Sequence, residues 1–290
     1  MSPDAPRSLH ALSFDIEDWF HIVDIPGLDD PAKWAGMETL VERRTDDILG
    51  ALERHRTRAT FFVLGWIADR YPALVRRIHD AGHELGSHSF WHRRVFTLDA
   101  EEFRRDTMLS LDAIESACGV RPRGYRAPSF SILKGTEWAL DVLLDCGMQW
   151  DASLFPTERG HGGYPCPDAP HVFNALPSGR SIPELPLGVM RILGRGLCFS
   201  GGGYMRLLPL WVIERGFAQF ASRGLPVVIY LHPRDFAPEC PRVPMPISRR
   251  FKCYVGMHTT MPKLESLLQR HRFAPCSEVL RERGLLARDA

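Results

Sequence analysis

Short, continuously apolar segments alternate along this chain with longer segments whose apolar residues recur every three or four positions. Segments 59–65 (ATFFVLG) and 225–232 (LPVVIYLH) have the length and composition of buried parallel strands. Segments 38–55 and 97–119 have helical spacing, and the second begins with a Thr/Asp cap and ends at Gly119. We therefore predict repeated strand, turn and helix units, which build a parallel sheet covered by helices.

The alternation continues through most of the chain and stops at two stretches rich in Pro and Gly. Further helices are predicted at 68–82, 136–147 and 209–224, and further strands at 83–88, 123–128 and 148–154. The two Pro/Gly stretches, 155–207 and 233–258, are predicted as long ordered loops over the strand ends. The fold class is α/β, either a barrel or an open doubly wound sheet. We predict one domain over 1–290, with 236–290 as an extension packed on it.

Composition narrows the class of partner. The 290 residues are 44% hydrophobic, enough for a large core, and the 36 basic and 35 acidic residues nearly cancel. This balance argues against nucleic acid as the main partner. No apolar run approaches membrane-span length or resembles a signal peptide, so we expect a cytoplasmic protein without a transmembrane segment. The seven cysteines are scattered without a C-x-x-C pair, which argues against a disulfide framework or a cysteine zinc site.

Candidate chemistry begins with LSFDIEDWFH, where Asp15, Glu17 and Asp18 follow a predicted strand. Burying carboxylates there is costly unless they are paired. On a regular strand Glu17 shares a face with Asp15, whereas Asp18 needs a bulge or the end of the strand to turn inward.

Other polar residues lie at or just beyond the carboxyl ends of predicted strands. SHSFWH supplies His88 and His92 as an H-x3-H pair, GYRAPSF supplies Arg126, QWDASL supplies Asp151, and VVIYLHPRD ends a strand at His232. The carboxyl ends of parallel strands converge on one face, where active sites form. Two imidazoles and a carboxylate are a common ligand set for a catalytic divalent metal.

Taken together, FDIED, SHSFWH, RAP, WDASL and YLHP resemble, in order and spacing, the five motifs of the polysaccharide deacetylase family. This is the NodB-homology group, carbohydrate esterase family 4. The resemblance spans 12 to about 235, and FSGGGYMRLLP with the C-terminal tail is similar to the subgroup associated with exosortase-linked exopolysaccharide clusters. It implies a distorted (β/α) barrel with long loops over the active face.

The resemblance also implies catalytic roles. Asp15 matches the general base, and Arg126 pairs with that carboxylate. His232 matches the general acid that protonates the leaving amine, and Asp151 orients it. A backbone N–H near residues 127–130 would stabilise the oxyanion.

For the metal, the resemblance implies His88, His92 and one carboxylate. The family usually carries two adjacent aspartates, whereas this chain has D-I-E-D. A branch with D-x-D favours Glu17, and the shorter, stiffer Asp18 is the alternative, so both stay candidates. Zn²⁺ is the expected ion, and Co²⁺, Ni²⁺ or Mn²⁺ suit the same ligands.

The expected substrate is an N-acetylated glycan or a lipid-linked oligosaccharide, deacetylated to release acetate. Candidate substrate contacts are Tyr204, Arg206, Trp19 and Pro128. The segment SRRFKCY adds a basic and aromatic cluster at Arg249 to Tyr254, which favours a negatively charged ligand. The alternatives are an amidohydrolase for small cyclic or linear amides and a non-catalytic carbohydrate-binding protein. Oligomeric state is not predicted.

Overall fold

A computed structural model describes residues 8–25, 27–28, 30–157, 163–192 and 195–287. Parts of the first predicted loop, 158–162 and 193–194, and the start of the chain, 1–7, lie outside these residues.

The described elements follow the predicted alternation over most of the chain. The strands are β1 Leu9–Ile16, β2 Thr60–Val63, β3 Glu84–Ser87, β4 Gly124–Tyr125, β5 Trp150–Asp151, β6 His171–Phe173, β7 Ile182–Glu184, β8 Val189–Ile192, β9 Arg195–Cys198, β10 Val228–Leu231 and β11 Arg272–Ala274. The helices are α1 Pro31–Trp34, α2 Val41–Arg54, α3 Gly65–Arg70, α4 Pro72–Asp80, α5 Ala100–Cys118, α6 Trp138–Asp145, α7 Gly202–Leu207, α8 Leu210–Ala221, α9 Ile247–Tyr254, α10 Thr260–Arg270 and α11 Cys276–Glu282.

One nine-stranded sheet runs in the order β10, β1, β2, β3, β4, β5, β7, β6, and β11 also pairs with β1. All of its pairings are parallel except that of β6 with β7. The sheet curls into a half-barrel, which confirms the predicted distorted barrel of the NodB-homology type. The carboxyl ends of β1, β3, β4, β5 and β10 therefore lie along one rim.

Local signals explain the main helices. In α5 the Asp99 side chain accepts from the N–H of Glu102, the Glu102 side chain accepts from the N–H of Asp99, and Gly119 follows in the left-handed region at φ 78°. The helix predicted over 68–82 is instead two helices, because Pro72 lacks an N–H and begins α4.

The predicted long loops contain more structure than expected. The stretch 155–207 holds β6 to β9 and α7, and 233–258 holds α9. The extension 236–290 contributes β11, which joins the main sheet beside β1 at Leu9–Ala11. Within the described residues, no helix is both long enough and apolar enough to cross a bilayer.

Candidate active site

Asp15 and Glu17 are buried at the carboxyl end of β1, where the chain leaves the sheet. The N–H of Glu17 donates to the carbonyl of Asp15 at 3.0 Å, a tight turn that ends the regular strand. Their side chains reach a common site with residues from β3, β4 and β10.

Asp18 faces away from that site, which corrects its candidacy as a metal ligand. One carboxylate oxygen accepts from the N–H of Trp19 at 2.8 Å, and the other accepts from the Thr39 hydroxyl and the N–H groups of Leu40 and Val41. Asp18 therefore caps two helical segments. A bulge that would turn it inward is not formed, because the turn at Glu17 presents the longer side chain instead.

Glu17, His88 and His92 form the ligand cluster: each offers one ligand atom, and these atoms lie within 4.8 Å of one another. His92 Nε2 is 2.7 Å from Glu17 Oε2. His88 Nδ1 lies 2.8 Å from the carbonyl oxygen of Arg126, which acts as the acceptor of an Nδ1–H and leaves Nε2 for a ligand. Burial lowers the pKa of His88 to about 4, so the ring is neutral at neutral pH.

The loop that carries His92 has a constrained backbone. Ser89 and His92 both lie in the left-handed region, at φ 64° and 54°. The N–H of His92 donates to Ser89 Oγ at 3.0 Å, and the Asp106 carboxylate on α5 accepts from the N–H groups of Phe90 and Trp91 at 2.7 and 3.2 Å. Helix α5 thus holds the loop against the site. Sequence reasoning missed Asp106, whose helical position carried no sign of this contact.

The cluster fits a divalent metal ion. His92 Nδ1 is buried and has no hydrogen-bond partner among the described residues, and the buried Glu17 Oε2 faces His92 Nε2. Burial acts to raise the pKa of Glu17, but the imidazoles of His92 and His232 hold that pKa below its ordinary range. A carboxylate that stays ionised beside two imidazoles is a suitable set of donors for Zn²⁺ and related ions.

Asp15 and Arg126 form a buried ion pair beside this cluster. Arg126 Nη1 donates to Asp15 Oδ1 at 2.7 Å and to Ser13 Oγ at 2.9 Å, and the guanidinium lies 4.1 Å from the centroid of the Phe62 ring. The other oxygen, Asp15 Oδ2, is 4.0 Å from Nε2 of His88. Arg126 therefore fixes one oxygen of Asp15 while the second faces the ligand cluster.

His232 completes the group. Its Nε2 lies 3.3 Å from Glu17 Oε1 and 4.0 Å from Asp15 Oδ2. Its Nδ1 is 2.9 Å from Asp235 Oδ2, so Asp235 is the carboxylate that orients the ring. Burial opposes protonation of His232, but Asp235 raises its pKa above the usual value.

Asp151 does not orient His232, which corrects its predicted role. Its oxygens accept from the N–H and hydroxyl of Ser153 at 3.0 and 2.6 Å, and it is paired across the sheet with Glu184. Burial raises the pKa of Asp151 and, together with the neighbouring Asp151, raises that of Glu184. Asp235, three residues after His232 in HPRD and just beyond the motif YLHP, was overlooked in the sequence.

Three predicted substrate contacts lie in the interior. Trp19 is 7% exposed and donates from Nε1 to the carbonyl of Glu38. Arg206 is 4% exposed and its Nε is 2.8 Å from Asp235 Oδ1, so its charge is neutralised inside the protein. Pro128 is buried at the start of a short 3₁₀ turn, and Tyr204 is half-buried. For Trp19 and Arg206 the prediction is corrected, because these side chains pack in the core.

Of the backbone N–H groups predicted to stabilise the oxyanion, one stays a candidate. In the segment 127–130, the N–H of Ala127 donates to Ser153 Oγ at 2.8 Å and that of Phe130 to the carbonyl of Ala127 at 3.0 Å. Pro128 has no N–H. The N–H of Ser129, a residue with φ 57°, stays the candidate.

A groove of about 280 Å³, the His92 groove, lies beside the cluster and is lined by His21, Trp34, Trp91, His92, Arg93 and Arg94, among others. Arg249 on α9 donates to the carbonyl oxygens of Val23 and Asp24, which line the same groove. Arg250, Phe251 and Lys252 on that helix are exposed. A larger depression, about 640 Å³, is lined by residues of 46–58 and 81–83, none of which belongs to the cluster.

Two sequence families together match most of the chain. Residues 28–149 match the family described as Polysaccharide deacetylase, and residues 152–281 match a Domain of unknown function, DUF3473. The peptidoglycan-N-acetylglucosamine deacetylase of Bacillus cereus is 32% identical over 98 residues, covering 33% of this chain and 36% of that protein. The chitooligosaccharide deacetylase of a Bradyrhizobium species is 37% identical over 100 residues, covering 34% of this chain and 43% of that protein. The chain therefore spans less than half the length of these relatives.

Solved structures share the fold across nearly the whole chain. A Mycobacterium smegmatis protein assigned as a polysaccharide deacetylase superposes with a TM-score of 0.65 at 21% identity, covering 100% of this chain and 96% of that one. A CE4 family pseudoenzyme from Bacillus anthracis superposes with a TM-score of 0.51 at 15% identity, covering 96% of this chain and 66% of that one. At these identities the superpositions establish the fold alone.

Proposed function

We propose that this chain, whose residues 28–149 match the polysaccharide deacetylase family, hydrolyses the N-acetyl group of an amino sugar in a polysaccharide or its lipid-linked precursor, releasing acetate. The observation that carries the proposal is the position of Asp15 Oδ2, which lies 4.0 Å from Nε2 of both His88 and His232. A base, a ligand cluster and an acid thus face one small volume, as hydrolysis of an amide requires.

Glu17, His88 and His92 would hold one divalent ion, with Zn²⁺ expected and Co²⁺, Ni²⁺ or Mn²⁺ compatible with the same donors. When bound, such an ion supplies Lewis-acid catalysis, which polarises the acetamide carbonyl and acidifies water. The Nδ1 contact of His88 to the Arg126 carbonyl fixes the ring and its tautomer for this role.

Asp15 is the proposed general base. Arg126 occupies Oδ1, so the carboxylate is oriented, and Oδ2 is free to accept a proton from water. Ser13 and the Phe62 ring hold the guanidinium in place beside that carboxylate.

His232 is the proposed general acid. Its Nδ1–H is held by Asp235, so Nε2 is the atom directed at the site and delivers the proton to the leaving amine. The pKa of His232, raised by the Asp235 carboxylate, favours the protonated ring near neutral pH.

The His92 groove is the proposed glycan-binding surface. Trp91 offers an aromatic face, and Arg93 and Arg94 border the groove. With the exposed Arg250 and Phe251 on α9, this surface suits sugar rings that carry an acidic group or a pyrophosphate. A role in exopolysaccharide biosynthesis and a cytoplasmic location stay predictions.

The test is acetate release from a panel of neutral and acidic N-acetylated glycans, alongside loss of the intact amide for small cyclic or linear amides, with chelated protein and metal add-back. We expect metal-dependent acetate from at least one glycan and no loss of the small amides. Acetate release that is indifferent to metal, or hydrolysis confined to the small amides, would overturn the proposal. Metal binding without turnover would instead support a carbohydrate-binding protein.

A further inference from the structure

Arg206, expected from the sequence to contact substrate, lies directly behind the proposed acid. Its Nε is 2.8 Å from Asp235 Oδ1, and Asp235 Oδ2 is 2.9 Å from His232 Nδ1. Asp235 Oδ2 also accepts from the backbone N–H of His232 at 2.9 Å. A continuous line of polar contacts therefore runs from the interior to the ring that faces the ligand cluster.

The guanidinium of Arg206 is itself held by backbone. Nη1 donates to the carbonyl oxygens of Cys253 and Val255 at 2.7 and 3.2 Å, and Nη2 donates to that of Lys252 at 3.1 Å. Nε forms an ion pair with Asp235 Oδ1 at 2.8 Å, without the alignment of a hydrogen bond. This arginine is therefore oriented by the end of α9, and its fixed guanidinium places a positive charge beside Asp235 Oδ1.

The surrounding glycines leave room for this arrangement. A Cβ on Gly202 would lie 2.0 Å from Asp235 Oδ2, and a Cβ on Gly256, at φ 66°, would lie 2.2 Å from the carbonyl oxygen of Arg206. The backbone approaches the buried pair as closely as only glycine permits. All of these residues belong to the part of the chain that matches the domain of unknown function.

We propose that Arg206 and Asp235 are positioning residues for His232, and that the 252–256 segment belongs to the active-site architecture. This inference rests on the proposed function. Burying an arginine and an aspartate costs solvation that their attraction only roughly repays, so stability alone is a poor reason for the pair. A carboxylate with one oxygen on the imidazole and the other in an ion pair with Arg206 fixes the tautomer and the orientation of that ring, as catalysis requires.

The test is a double-mutant cycle of Arg206→Lys with His232→Ala, measured as kcat for release of acetate from N-acetylglucosamine oligomers. Lysine keeps the charge but cannot span Asp235 and three carbonyls. We expect Arg206→Lys to lower kcat by about 10- to 100-fold with KM nearly unchanged. In the His232→Ala background the same change should have less than about a twofold effect, because it acts through that ring.

Lys263→Met is the matched control. Lys263 Nζ donates to the carbonyl oxygens of Met205, Arg206 and Leu208, so it supports the same helix without contacting Asp235. It should lower the melting temperature without lowering kcat as Arg206→Lys does. Equal losses from Arg206→Lys in both backgrounds would show a merely structural role and overturn the inference.

A readout independent of turnover separates this inference from the proposed function. The low-field proton NMR signal of the His232 Nδ1–H, identified by its loss in His232→Ala, should shift or broaden in Arg206→Lys and persist in Lys263→Met. If no glycan is deacetylated, the proposed function fails and this signal alone decides the positioning role. An unchanged signal in Arg206→Lys overturns it. Should that variant not fold, Asp235→Asn replaces it in the same cycle.

Discussion

Three neighbouring carboxylates, Asp15, Glu17 and Asp18, acquire three different environments. Asp15 is held by Arg126, Glu17 lies among imidazoles, and Asp18 accepts hydrogen bonds from groups outside the ligand cluster. The tight turn at the end of β1 produces this separation, since it directs Glu17 inward and leaves Asp18 to cap the following segment. Roles at this scale follow from contacts and not from residue type.

Asp15→Asn should retain metal and lose turnover, because an amide cannot accept the proton of water. A fall in kcat of about 10²- to 10⁴-fold is expected. The measurement is metal content after purification alongside acetate release. Since the change leaves Arg126 without its buried anion, thermal unfolding must accompany it, and activity is compared well below the melting temperature. Activity near that of the unmodified protein would remove Asp15 from the base role.

Glu17→Gln should affect metal binding, whereas Asp18→Asn should affect the free energy of unfolding. Glu17→Gln should abolish metal binding in calorimetric titration, because a neutral amide is a poor ligand. Asp18→Asn should keep metal binding but lower the free energy of unfolding by about 1–2 kcal/mol through loss of its capping contacts. Loss of metal in Asp18→Asn at an unchanged melting temperature would contradict this assignment.

The choice between Glu17 and Asp18 marks the limit of prediction at this scale. Residue spacing indicated that both carboxylates could approach a metal, and the D-x-D comparison favoured Glu17, but neither could show that Thr39, Leu40 and Val41 would occupy Asp18. Those contacts join residues more than twenty positions apart. The prediction of Asp151 in place of Asp235 as the partner of His232 failed for a similar reason. That partner depends on how the 3₁₀ turn after β10 folds, which the sequence pattern does not show.

At the scale of elements, helices support the site from behind. Helix α5 presents Asp106 to the loop that carries His92, and α7 brings Gly202 against Asp235. The hydrophobic pattern predicted α5 and β10 well, since α5 buries one apolar face and every residue of β10 is buried. It did not predict α7 or α9, because the Pro- and Gly-rich stretches that contain them have little periodic pattern.

Asp106→Asn should weaken metal binding without touching a ligand. Asparagine keeps an acceptor but loses the charge that attracts the N–H groups of Phe90 and Trp91, so the strained loop at Ser89 and His92 loosens. A loss of about 10- to 100-fold in metal affinity is expected by titration. Asp112→Asn, also on α5 but 62% exposed at its side chain, is the matched control and should leave affinity unchanged. Equal affinity in both variants would contradict the supporting role.

Substitution by alanine should have different effects at the two adjacent glycines of α7, Gly202 and Gly203. A Cβ on Gly202 would meet Asp235 Oδ2 at 2.0 Å, whereas a Cβ on Gly203 would meet Arg206 Nη2 at an ordinary 3.7 Å. Gly202→Ala should therefore displace Asp235 and lower kcat, and Gly203→Ala should be neutral or stabilise by about 0.5–1 kcal/mol through helix propensity. Acetate release and thermal unfolding of both variants provide the measurement. Equal behaviour would show that α7 moves freely relative to Asp235.

For the whole molecule, the main sheet links the site to a second buried acidic pair. Asp151 on β5 and Glu184 on β7 are paired in register and fully buried, close to the strand end that carries Arg126. Asp151 ends the strand just before the region that matches the domain of unknown function, and Glu184 lies within that region, so their strand pairing joins the two parts of the chain. The pair supports no step of the proposed chemistry, so its influence is expected in global stability.

Glu184→Gln should stabilise the protein increasingly as pH rises. Burial and the neighbouring Asp151 raise the pKa of Glu184 well above its ordinary value, so the native state retains a proton that the unfolded chain releases. The unfolded state therefore binds fewer protons from its ordinary pKa upward, and stability of the unmodified protein falls as pH rises through that window. Glutamine removes this dependence while keeping an oxygen that can accept from the N–H of Leu154.

The melting temperatures of the two proteins should nearly coincide at about pH 4 and diverge by pH 8, each kcal/mol of unfolding free energy corresponding to about 2–4 °C at this size. Titrating groups other than the neighbouring Asp151 cancel in the difference between the two proteins. Glu278→Gln, on a carboxylate 41% exposed at its side chain, serves as the control and should show no widening gap. A difference that is constant with pH would mean that Glu184 is ionised in the native protein.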